Sequence, residues 1–122
     1  MERIEEFTRE GKDFIYFDLS GFQTNDEFGR LIEESRSVIE KYAEGSLYTI
    51  TNIEKIRFDT KTKKIVAEWM ARNKSYVKYG VVICMDGIKK IMVNAVFAMS
   101  GRKNMNSAST KEQAIEWLLR QE

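Results

Sequence analysis

The chain has 122 residues, 43% of them hydrophobic, and its 20 basic and 19 acidic residues leave a formal net charge of +1. A chain of this length is expected to form one domain, residues 1–122, with a core that needs no covalent staples. With no histidine and one cysteine, histidine acid–base chemistry, Ser-His and Cys-His nucleophiles, imidazole metal sites, CxxC redox chemistry and internal disulfides are all excluded.

The charged start Met1-Glu-Arg-Ile-Glu-Glu6 lacks the apolar stretch of a signal peptide. No apolar run approaches the roughly 20 residues of a membrane span. A cytoplasmic protein is expected. From Ile4 to Leu19 the sequence reads as a hairpin, turning at Glu10-Gly11-Lys12 into Phe14-Ile-Tyr-Phe-Asp-Leu19, a run rich in β-branched and aromatic residues.

Thr24-Asn-Asp-Glu27 then has capping-box spacing. Phe28, Leu31, Ile32, Ile39, Tyr42 and Ala43 repeat at helical spacing, with Ser35 in the same stripe. The predicted helix runs to Gly45, one face apolar and the other acidic. Leu47–Thr51 is the next strand. Asp59 can cap a second helix with Ile65, Val66, Trp69 and Met70 inward.

Val81-Val-Ile-Cys-Met85 is continuously apolar. It is therefore expected to be covered on both faces and to stand in the centre of the sheet, with Cys84 as a small packed thiol. A third helix, from Ile88 to about Met99, carries a core stripe of Ile88, Ile91, Met92, Ala95, Val96 and Met99. Residues 104–108 read as an edge strand, and Ser109-Thr-Lys-Glu112 as the capping box of a last helix through Ala114, Ile115, Leu118 and Leu119. Strands alternating with helices after a hairpin imply an α/β fold, its four- to five-stranded sheet mostly parallel with one antiparallel edge.

Charge is divided along the chain. Residues 1–50 hold 6 basic and 12 acidic residues, a net of −6, while residues 51–122 hold 14 and 7, a net of +7. Such a split suits an anionic or mixed-charge partner.

The order hairpin–helix–strand–helix–strand–helix–strand–helix resembles the STAS domain of anti-sigma-factor antagonists, and the small STAS/SEC14-like proteins in particular. The residues that carry the likeness are Gly87-Ile-Lys-Lys90, Asn94-Ala-Val96, Ser100-Gly-Arg102 and Thr110-Lys-Glu-Gln-Ala-Ile-Glu-Trp-Leu118. The resemblance implies a regulatory or protein-interaction domain. It also implies a phospho-acceptor stretch after the third strand, where the family has Asp-Ser-Ser-Gly. Here Phe58-Asp59-Thr60-Lys61-Thr62 falls on it. Asp59 matches the aspartate and Thr60 the first serine, but Lys61 stands at the usual acceptor. Thr60 and Thr62 are the candidate acceptors or switch residues.

Lys61, Lys63 and Lys64 fall in the first turns of the second helix, where the macrodipole disfavours cations. Solvation can absorb that cost; alternatively, Asp59 and the three lysines form a site for a phosphate or carboxylate, as in a nucleotide- or lipid-binding domain. Val93 and Phe97, four residues apart, widen the apolar arc of the third helix beyond its stripe. Either neighbouring helices cover them, or with Lys89 and Lys90 they form an interface for a protein partner or a second copy.

The basic residues lack interleaved exposed aromatics, because Tyr76 and Tyr79 suit strand packing, so nucleic acid is not expected. Glu5-Glu6 and Glu33-Glu34 are sequence neighbours that make no catalytic dyad, and no GxGxxG, P-loop or GxSxG is present. The expectation is a non-enzymatic regulatory or interaction domain without cofactor or metal. The alternative is a small-molecule binding domain with its anion site at the second helix.

Overall fold

In the computed structural model, which describes residues 2–84, 86–99, 101 and 103–121 and only the backbone of Lys89 and Met92, strand β1 (Ile4–Arg9) folds back on β2 (Lys12–Asp18). The two residues between them, Glu10 and Gly11, have φ of 52° and 76°. Positive φ at both central positions is the mirror-image turn that matches the twist of a tight hairpin. From there α1 (Asn25–Ile39), β3 (Leu47–Asn52), α2 (Thr60–Asn73), β4 (Val77–Ile83), α3 (Gly87–Met99), β5 (Met105–Ala108) and α4 (Lys111–Leu119) follow in turn.

The sheet runs β1-β2-β3-β4-β5. The β1–β2 pair is antiparallel and every later pair is parallel. Each parallel crossover moves one place in the same direction. Right-handed connections of that kind put all their helices on one face. Accordingly Phe28, Leu31 and Ile39 of α1, Val66 and Trp69 of α2, and Val93, Val96 and Phe97 of α3 share one core with Ile15, Phe17 and Leu47. On the other face α4 packs Ala114, Ile115 and Leu118 against Phe14, Tyr48, Ile50, Val81 and Ile83.

The α/β class, the mostly parallel five-stranded sheet and the antiparallel edge are as the sequence implied. Three details differ. Helix α1 stops at Ile39 with Glu40 as C-cap, six residues before Gly45. Beyond the cap, the Tyr42 hydroxyl donates to Glu6 at 2.7 Å. Gly45, at φ 71°, donates its N–H to Ser75 O and so feeds β3 into the sheet. The central strand is β3, five of whose six residues are buried, and the apolar run of β4 stands one place aside. Two threonines in β3, Thr49 and Thr51, are buried, so this strand is covered on both faces despite its polar positions. The cap of α4 is Thr110, whose side chain accepts from Gln113 N, one residue later than the Ser109 box.

Cys84 is fully buried just past β4. The expected face of α3 is reversed, with consequences described next.

Candidate functional site

The segment from β3 into α2 enters the helix through Arg57, Phe58 and Asp59. Asp59 sits in an extended conformation, φ −99° and ψ −178°, and its carboxylate accepts from Thr62 N at 2.8 Å. A short polar side chain in that geometry satisfies a helix amide that has no intrahelical partner. The Thr62 amide, and then the Arg57 guanidinium, hold the Asp59 carboxyl below the usual carboxylate range. Arg57 ties the loop together. Its Nε lies 3.0 Å from Asp59 Oδ2, and its Nη2 donates to Asn25 Oδ1 at 2.7 Å and to the Thr62 hydroxyl at 3.4 Å. The beginnings of α1 and α2 are thereby joined through one guanidinium.

This geometry separates the two candidate switch residues. Thr60 is exposed at the first position of α2. Thr62 is fully buried and its hydroxyl meets Arg57, so no kinase can reach it in the folded domain. The candidacy of Thr62 is corrected on that ground. Burial was hidden in the sequence because Thr62 lies between two lysines.

Lys61 and Lys64 are exposed and Lys63 half-buried on the same helix start. A bound anion would have to compete there with the Asp59 carboxylate, which already takes the Thr62 amide. The offset for three lysines at the positive end of α2 is thus supplied from within the chain. No group of three or more Cys, Asp or Glu among the described residues could hold a metal ion.

On α3 the expected faces are exchanged. Val93 and Phe97 are 3% and 8% exposed, while Ile88, Ile91 and Met99 are 73%, 72% and 59% exposed. Val93 and Phe97, offered as an interface, are core residues packed with Val96 against the sheet and α2. Ile88, Ile91 and Met99, offered as core, are the accessible ones, with exposed Ala95 and Ala98 between them. The i, i+3, i+4 set 93, 96 and 97 is as good a stripe as the one chosen, and in a helix apolar nearly all round the periodicity alone cannot select between them. One signal was available. Asn94 is the only polar residue from 91 to 99, and its helical neighbours Ile91 and Ala98 flank it on the outer arc. Lys90 is half-exposed beside this stripe; the side chains of Lys89 and Met92, and Arg102, lie outside the described residues.

Among known proteins, no family model matches the sequence and no curated protein is detectably similar to it. Among solved structures it is similar to an uncharacterized protein of the DUF3478 family with a SpoIIAA-like fold, from Shewanella loihica PV-4. The TM-score is 0.74 at 10% identity, over 94% of this chain and 91% of that one. The chain therefore has the SpoIIAA-like, or STAS-like, fold that its hairpin-first order implied. No helix among the described residues is long and apolar enough to cross a membrane.

Proposed function

We propose that this chain is a cytoplasmic, non-enzymatic STAS-like domain that acts by binding another protein, and that the outer face of α3 is its contact surface. The observation that carries the reading is the exposed stripe of Ile88, Ile91 and Met99. Single exposed apolar residues are ordinary, but three at 88, 91 and 99 on one helix, joined by Ala95 and Ala98, form a patch of the kind that marks interaction sites. Lys90 at its border favours a partner with acidic groups around an apolar centre. Within the resemblance to anti-sigma-factor antagonists, Thr60 is the one exposed candidate for a phosphorylation switch, since Thr62 is enclosed.

The test is a double substitution, Ile88→Lys with Ile91→Lys, compared with the parent protein in affinity capture and in light scattering over a concentration series. Loss of captured proteins or of self-association, with the thermal melt unchanged, is the expected result. An identical capture profile and mass from both proteins would remove α3 as the contact surface.

A further inference from the structure

We propose that β1, the free antiparallel edge of the sheet, takes an extended basic segment of a partner protein as a sixth strand, laid in the groove between β1 and α1. The proposal rests on the reading of this chain as an interaction domain. It does not depend on the stripe of α3.

The edge is defined by the hairpin. A two-residue turn makes Arg9 and Lys12 a hydrogen-bonded pair, and alternation along an antiparallel ladder then directs the main chains of Phe7 and Glu5 toward β2. The bond from Asp18 N to Arg3 O at 2.7 Å continues the same phase. The N–H and C=O groups of Ile4, Glu6 and Thr8 consequently face away from the sheet. No strand pairs with them among the described residues.

Beside this edge lies a groove of about 600 Å³ between β1 and α1. Its apolar floor is formed by Ile4, Phe22, Leu31 and Val38, and its walls by Glu2, Glu6, Glu27 and Glu34 against Arg3 and Arg30. An open edge strand beside such a groove suits strand addition: main-chain bonds hold the added segment, and alternate side chains can enter the groove.

Charge selects the occupant. Arg3 is committed to Asp18 O and Ser20 O and lies over the Phe22 ring. Glu27 caps α1 through the amides of Gln23 and Thr24, and Glu6 is shared by Tyr42 and Lys41. Glu2, Glu34 and Arg30 have no ion pair among the described residues and all three are exposed, so the open charges of the groove are two acidic and one basic. The groove also belongs to the half of the chain that carries a net charge of −6. Charged residues on an edge guard against indiscriminate pairing. Here they leave a lysine- or arginine-bearing strand as the complementary partner, while an acidic strand is repelled.

Amide spectra of the ¹⁵N-labelled full chain, titrated with an octapeptide of alternating lysine and valine and with its glutamate–valine counterpart, test this. The lysine peptide is expected to shift the amides of Ile4, Glu6 and Thr8 and slow their exchange, and the glutamate peptide to do neither. Reversing two open charges, Glu2→Lys with Glu34→Lys, should weaken the lysine peptide by about tenfold or more, a cost of about 1.4 kcal/mol or more. Thr8→Pro, which deletes one outward N–H and no bond to β2, should weaken it as well. If Thr8→Pro fails to fold, amide protection still decides. The Ile88→Lys/Ile91→Lys protein should bind the peptide as the parent does, so failure of the α3 surface and failure of this one are distinguishable. Shifts without slowed exchange at Ile4, Glu6 and Thr8 would overturn the proposal in favour of plain charge attraction. Concentration-dependent pairing of β1 with another copy of the chain would overturn it in favour of self-assembly.

Discussion

Helices α1 and α3 lie on the same face of the same sheet, yet they meet solvent in opposite ways. Helix α1 buries Phe28, Leu31, Ile32, Ser35 and Ile39, and apart from half-buried Val38 the residues between are charged or small. Its orientation has a single solution, because any rotation would bury carboxylates. Helix α3 is apolar on both sides, and its position is decided by which set fits against Trp69, Met70 and Val82, the neighbours that line the space beneath Val93, Val96 and Phe97. The losing set, Ile88, Ile91 and Met99, is left in water. A helix is left with an exposed apolar face when it carries more apolar surface than one core can take.

Both helices start on a side-chain acceptor. At the start of α1 the Thr24 side chain accepts from Glu27 N while Glu27 reaches back to Thr24 N. Past its end, Tyr42 is fixed to Glu6. At the start of α3, Asp86 accepts from Ile88 N at 2.8 Å.

The largest effect that could break the comparison lies within α3. Phe97→Ala should cost about 3–5 kcal/mol in denaturant unfolding, and Ile91→Ala within about 0.5 kcal/mol of nothing. Equal losses would mean that the helix is turned the other way. Next, Ser35→Ala probes the joint between α1 and α2. The hydroxyl of Ser35, 1% exposed, accepts from Trp69 Nε1 at 3.0 Å and donates to Ile32 O. Its removal leaves a buried indole N–H without an acceptor, and a loss of about 1–3 kcal/mol is expected by the same measurement.

The smallest effect is a pH dependence at the anchored end of α1. The hydrogen bond to Glu6 pushes the Tyr42 hydroxyl up from 10.0 to about 12. A group whose value is raised on folding contributes stability that is full below its unfolded value and is lost as pH rises through the folded one. Tyr42→Phe should therefore flatten the stability profile between about pH 10 and pH 12 relative to the parent protein. The same bond, with Lys41, lowers the Glu6 carboxyl. That contribution is present above the ordinary carboxylate range and is lost on acidification, so Tyr42→Phe should also soften the acid limb of the profile.

Much of the frame was legible in the chain because its signals are local. Gly11 marks the hairpin, Thr24-Asn-Asp-Glu27 starts α1, Asp59 caps α2, and the apolar runs supply β2 through residues 14–18 and β4 through residues 81–83. The charge division was equally plain, and the fold turns it into two places: the acidic β1–α1 groove and the basic entrance to α2. The candidate site was read less well. Asp59 and Thr60 stand where their spacing put them, but Thr62 is enclosed by Arg57, a contact made through the loop geometry and invisible in a list of neighbours.

What the sequence determined by itself, then, was the order and kind of the elements, their helix starts and the absence of histidine and disulfide chemistry, since propensity, capping and side-chain inventory act over a few residues. Tertiary structure alone decided which face of α3 is buried, that β3 rather than β4 is central, and that β1 presents an open edge beside α1. Those outcomes depend on competition between surfaces from distant parts of the chain, and a surface that loses such a competition can be recognised only once the winner is in place.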